Sequence, residues 1–170
     1  YVGGDFTAIG GQARMCAAEL DLLSGQATAW DPNVGFSGTP GSVRALAASG
    51  DTIFIGGDFG TVGTAQRHHL AAVNSTTGSA TAWNPGVTGP HDRYYGDPFI
   101  RTMAVRAGTI YVGGHFTGVG GQPRGCLAQV DLATGQATAW NPDPGPLFNG
   151  NAPDVWSLVL HDSTVFVSGD

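Results

Sequence analysis

The chain contains no lysine, and Glu19 is its only glutamate. All seven basic residues are arginines, scattered along a chain of net charge −6. Nucleic acids and anionic membrane surfaces are held by clustered positive charge, so the sequence argues against both as partners. Long apolar runs are missing as well. Nothing approaches the roughly 18 residues that a membrane-spanning helix needs. Cysteine is nearly absent, with Cys16 and Cys126 alone. Zinc spacings such as H-E-x-x-H and C-x-x-C, the D-x-D-x-D-G calcium loop, the G-x-S-x-G nucleophile turn and the phosphate-binding P-loop do not occur. No cofactor is indicated.

What the chain has in quantity is 28 Gly and 10 Pro among 170 residues. Glycine weakens helix interiors and proline breaks them, so this composition predicts many short strands joined by turns. It is also strongly self-similar. Tyr1-Val-Gly-Gly-Asp-Phe6 recurs as Phe54-Ile-Gly-Gly-Asp-Phe59, as Tyr111-Val-Gly-Gly-His-Phe116 and as Phe166-Val-Ser-Gly-Asp170. A second motif keeps step: Gly25-Gln-Ala-Thr-Ala-Trp30 is repeated letter for letter at 135–140, with Gly78-Ser-Ala-Thr-Ala-Trp83 between. Asp31-Pro32, Asn84-Pro85 and Asn141-Pro142 follow. The chain reads as one segment, 1–170, of units about 1–53, 54–110 and 111–165, with a fourth begun at 166–170.

The middle copy predicts four short antiparallel strands: A over Val43–Ala48, B over Thr52–Gly57, C over His69–Val73 and D over Ala80–Trp83. Such a sheet has two apolar faces, and stacking the sheets face to face buries them. The predicted fold is therefore all-β, with about three four-stranded propeller blades present. Three blades do not close a ring, so the expectation is a part of a larger closed propeller, completed by further blades of the same chain or by another copy.

Strand B ending in Gly-Gly, with a Trp on strand D, resembles the kelch blade. The string V-x-A-L-A…I-F-I-G-G-D-F…L-A-A-V-N…T-G…W-N-P-G is similar to the bacterial extracellular propeller repeats called delta-sixty repeats. The resemblance covers the whole chain. It implies a propeller scaffold and a secreted or cell-surface location, and leaves the ligand open.

Tight A–B and C–D turns fall at one end of the predicted propeller, and the longer B–C and D–A connections at the other. The D–A connections, 33–42, 86–99 and 143–154, vary most. Variable loops on a rigid scaffold are the expected binding surface. Residues that recur in every copy are assigned to the blade: Trp30, Trp83 and Trp140 to inter-blade packing, and the Gly-Gly pairs to close approach or positive φ. Asp5 with Arg14, Asp58 with Arg67 and His115 with Arg124 bracket the B–C loops and read as loop clamps by ion pair or hydrogen bond, the alternative being a ring of carboxylates that binds cations or a ligand near the channel mouth. Cys16 and Cys126 align with His69 at the start of strand C, too far apart for a disulfide, and read as buried, reduced apolar residues. Trp156 stands where other copies carry Arg44 and Arg101 and is expected to fill space between blades or, alternatively, to line the channel.

The residues that occur once are concentrated in the loop 86–99. His91, Asp92, Arg93, Tyr94, Tyr95 and Asp97 offer stacking rings and hydrogen-bonding groups suited to a sugar or peptide. A calcium ion on loop carbonyls and Asp92, Asp97 or Asp143 is the one metal left open, without a defined ligand set. The leading expectation is a non-enzymatic scaffold or recognition module that binds a protein or glycan on the loop-rich face. The alternatives are a carbohydrate hydrolase or lyase with its site on that face, and a subunit of an extracellular filament.

Overall fold

A computed structural model describes residues 1–89, 91, 96–145 and 153–170. The chain is all-β, with no helix among the described residues. The second blade is a sheet of Ser42–Ser49 (strand A), Thr52–Asp58 (B) and Leu70–Asn74 (C). The third repeats it with Phe99–Arg106, Thr109–His115 and Leu127–Asp131. Strand B is central in both. The first blade shows Val2–Gly3 paired with Ala17–Ala18, and the fourth pairs Val155–His161 with Thr164–Gly169. Every pairing is antiparallel, as tight turns require: Ala107 and Gly108 both take positive φ (48° and 77°), which a two-residue type I′ hairpin demands.

Two expectations need correction. Strand D is not a four-residue strand but a single bridge to strand C, at Leu20↔Ala27, Val73↔Ala80 and Val130↔Ala137. The cause is local. The amides of Trp30, Trp83 and Trp140 bond to the hydroxyls of Thr28, Thr81 and Thr138 at 3.2 Å, so a side chain takes the donor that would have extended the ladder. The B–C connections, in turn, are small hairpins rather than plain loops: Ala8–Ile9 with Gln12–Ala13, Thr61–Val62 with Ala65–Gln66, and Gly118–Val119 with Gln122–Pro123. The second also pairs with Val34–Phe36, and the third with Val87–Thr88. Each of these two hairpins is thereby tied to the segment leading into its own blade.

The cores lie between blades, which is the propeller arrangement. Trp30, Val43, Ile53, Ile55 and Ala71 join the first blade to the second. Phe54, Leu70, Trp83, Ile100, Ile110 and Val112 join the second to the third. Cys126, Leu127, Val155 and Leu158 begin the next interface. The recurrent Trp packs there as expected. Phe54 meets Trp83 edge-on at 5.1 Å, and the indole Nε1 of Trp83 donates to the Asp131 carbonyl of the third blade at 3.1 Å. Trp30 does the same to Asn74. The Gly-Gly pairs serve close approach. A Cβ on Gly56 would lie 2.6 Å from Ile100 Cγ2 of the next blade, and one on Gly57 would strike the Ser42 carbonyl of its own.

Candidate functional site

Strand A begins at the loop-rich end of each blade, and each copy is interrupted by a register shift within its first residues: between Val43 and Ala45, between Ile100 and Thr102, and between Val155 and Ser157. The extra residues are Arg44, Arg101 and Trp156. A bulge bends the strand and re-aims one side chain, and bulges concentrate next to functional sites. Both arginines are carried to the same ring. Arg44 Cζ lies 4.4 Å and Arg101 Cζ 4.9 Å from the centroid of Phe99, within cation–π range.

The two guanidinium groups differ in their partners. Arg101 is neutralised by Asp154, with Nη2–Oδ2 at 2.5 Å and Nε–Oδ1 at 3.4 Å, and the Asp154 side chain is fully buried. Arg44 is exposed, and no described carboxylate lies within 4 Å of it. Beside it opens a groove of about 470 Å³ lined by Gly4, Asp5, Ser42, Val43, Arg44 and Arg101. It sits where strand B of the first blade ends and strand A of the second begins.

Asp58 closes strand B of the second blade, paired in register with Ser42. Burial raises its carboxyl pKa, the Arg44 charge opposes that shift, and Asp97 and Asp5 add to it. The imidazole of His69 approaches it, Nδ1 to Oδ1 at 3.6 Å, which is beyond hydrogen-bond length. Burial is the first cause that lowers the His69 pKa to about 4; the neighbouring His68 adds to the shift and Asp97 opposes it. His69 is therefore neutral near pH 7. Its backbone is left-handed (φ 64°), as at Cys16 (63°) and Cys126 (58°). Those buried, free thiols donate to the carbonyls of Gly41 (3.1 Å) and Pro153 (2.8 Å) in the following blade, and burial raises both thiol pKa values. They are more than apolar filler.

Arg14, Arg67 and Arg124, read from sequence as partners of Asp5, Asp58 and His115, bond instead to backbone carbonyls. Arg14, Arg67 and Arg124 donate from Nη2 to Thr28, Thr81 and Thr138 at 2.5–2.6 Å. Each also reaches the carbonyl one residue before itself. No ion pair within 4 Å joins Asp5 to Arg14 or Asp58 to Arg67; Arg14 approaches Asp31 instead, at 3.8 Å. The physical reason is reach, because the hairpin places the arginine against strand D while the end of strand B faces the inner rim. Asp5 therefore lines the groove, Asp58 meets His69, and His115 is buried with its ring 5.9 Å from Phe99.

Of the single-occurrence loop residues, Asp92, Arg93, Tyr94 and Tyr95 lie outside the described residues. His91 and Asp97 are joined, Nδ1 to Oδ1 at 2.9 Å, with both side chains mostly exposed. Among the described residues no three His, Cys, Asp or Glu side chains are grouped to hold a metal ion. Trp156, expected to fill space between blades, is 54% exposed. Sequence reasoning missed Phe99 and Asp154. The signals for this rim were the arginine recurring in Val43-Arg44 and Ile100-Arg101 and the charged residues that end strand B, Asp5 and Asp58; the bulges themselves leave no mark in the residue types.

The stacked sheets with cores between them define a β-propeller architecture. A family model described as "Domain of unknown function (DUF5122) beta-propeller" matches residues 108–132, the A–B turn, strand B, the hairpin and strand C of the third blade. No curated protein matches the chain. Among solved structures it is similar to the computationally designed Ika4 protein, with 17% identity and a TM-score of 0.35 over 80% of this chain and 90% of that one. The computationally designed Ika8 protein gives 14% identity and a TM-score of 0.38, covering 86% of this chain and 47% of that one. The propeller architecture rests on the blades and the family match, not on these two likenesses.

Proposed function

We propose that this chain is a non-enzymatic recognition module of the bacterial, secreted or cell-surface type that its delta-sixty-like and kelch-like motifs suggest, binding a protein or glycan on its loop-rich face. The observation that carries this reading is the inner rim. Successive bulges deliver Arg44 and Arg101 to one aromatic ring beside an open groove, while the recurrent arginines are committed to holding hairpins in place. Rigid strands presenting polar side chains at a groove suit recognition. The competing readings are an extracellular hydrolase or lyase with its site on this face, and a filament subunit.

The test is to probe the purified protein against glycan and peptide arrays and to assay every bound ligand for conversion by mass spectrometry. Saturable binding with the ligand recovered intact is expected. Turnover of a bound ligand would replace this reading with the enzymatic one, and binding to nothing but further copies of the chain would replace it with the filament.

A further inference from the structure

The groove at the inner rim has a composition more specific than "polar". Its lining brings one carboxylate, Asp5, and one uncommitted guanidinium, Arg44, to an opening of about 470 Å³ that Gly4 and Ser42 also line. The second guanidinium, Arg101, has its charge cancelled by Asp154. Among the described lining residues one uncancelled charge of each sign thus remains, which disfavours a ligand held by net charge; Asp58, which feels both charges, is not in that lining. Both remaining groups are planar and multivalent. A carboxylate accepts two hydroxyl protons side by side, and a guanidinium donates two parallel N–H bonds. Contact with Phe99, 4.4 Å from Cζ to the ring centroid, restricts the Arg44 side chain in advance, so less side-chain entropy is lost when a ligand binds. The volume lies within the range of small-molecule sites. Among the described lining residues Val43 is the one apolar side chain larger than a methyl, and it is buried, so the described lining offers no pocket for an apolar peptide side chain.

A ligand that matches adjacent acceptors and adjacent donors without net charge is a polyol with vicinal hydroxyls. On the recognition reading above, we infer that this groove is a subsite for a neutral saccharide, whose vicinal hydroxyls donate to Asp5 and whose oxygens accept from Arg44, with the Ser42 hydroxyl beside them. It is separate from the His91–Asp97 pair, which belongs to the loop 86–99 and does not line the groove.

The test titrates the chain by calorimetry with neutral oligosaccharides of glucose, galactose and mannose, with uronic-acid oligomers and with an acidic peptide, each at about 0.05 and 0.5 M salt. A neutral oligosaccharide is expected to bind with an affinity that changes less than about threefold across that salt range, since no net charge is being screened. Arg44→Lys, which keeps the charge and loses the planar fork, and Asp5→Asn, which loses the charge and one acceptor oxygen, are each expected to weaken binding about tenfold or more. Both sites are at the surface, and circular dichroism would verify the fold. Binding only of the uronic-acid oligomer or the peptide, falling steeply with salt, would overturn the inference and leave the recognition reading standing. Saccharide binding unchanged in both variants would do the same. Cleavage of the saccharide would overturn the recognition reading while keeping the subsite.

Discussion

The second and third blades are close copies over most of their surface, and they part company at one end. On the outside, Arg67 and Arg124 make the same bond to Thr81 and Thr138. Asn74 and Asp131 accept the same turn amides, from Thr76 and Thr77 in one blade and from Ala133 and Thr134 in the other. At the inner end the corresponding residues are Ser42, Asp58 and His69 in the second blade and Phe99, His115 and Cys126 in the third. Arg44 and Arg101 are identical in type and opposite in circumstance, one uncommitted and one paired with a buried carboxylate. A repeated scaffold is thus conspicuous for where its repetition fails, and in this molecule the failures gather where strand A begins and strand B ends.

The comparison can be broken hardest at its shared part. If the recurrent Trp acts by joining one blade to the next, Trp83→Ala, which empties a buried site and frees the Asp131 carbonyl, is expected to cost about 3–5 kcal/mol in urea denaturation. Trp140, whose indole is only half-buried against Tyr111, is expected to cost clearly less on the same change. Equal losses would mean that the indole serves its own blade and not the joint.

Much of this scaffold was legible from letters alone, because repetition reports geometry. Gly-Gly in the first three blades marks the close approach to strand A, and the Thr-Ala-Trp string marks the end of the ladder. The inner rim was legible only in the charged residues that end strand B, Asp5 among them, and not in its bulges or ion pair. A bulge depends on how two strands settle in register, and Arg44 and Arg101 look alike in sequence although Asp154, which distinguishes them, lies 53 residues beyond the second. Asp5 and Asp58 were misjudged as partners of Arg14 and Arg67 because proximity along a loop was taken as proximity in space, before the hairpins had turned the arginines toward strand D.

A second, somewhat smaller effect separates the blades by pH. His69 occupies the left-handed position that Cys16 and Cys126 hold elsewhere, and its pKa falls to about 4 in the fold from an ordinary 6.5. Between those values the unfolded chain binds a proton that the folded chain refuses, so stability falls as pH drops from about 6.5 to 4, by at most about 3 kcal/mol for this group. Asp58 works in the opposite sense, since its raised pKa means the folded state takes up a proton first and offsets the lower part of that window. In His69→Cys, urea midpoints measured from pH 7 to 4 are expected to lose the His69 part of this acid limb. An unchanged limb would assign the pH dependence to other groups and show that His69 is not held neutral by burial.

The smallest effect is the one that bears most directly on the rim. Asp154→Asn removes the charge from a fully buried carboxylate and weakens its two contacts with Arg101; because Arg101 is about one-third exposed and can rehydrate, the loss is expected to be about 2 kcal/mol rather than that of a sealed ion pair. Arg44→Ala removes a guanidinium with no described carboxylate within 4 Å, so what is lost is a cation–π contact with Phe99 and a longer-range, solvent-screened attraction to Asp58, and about 1 kcal/mol or less is expected. The order of the two, read from urea midpoints at pH 7, decides what each arginine is for. A group retained at the rim with little effect on stability is available to a ligand, whereas one whose partner cannot be neutralised without loosening the fold belongs to the scaffold. Should Arg44→Ala cost as much as Asp154→Asn, the two blades would be alike at the rim after all, and Arg44 would no longer count as a cation free for a ligand.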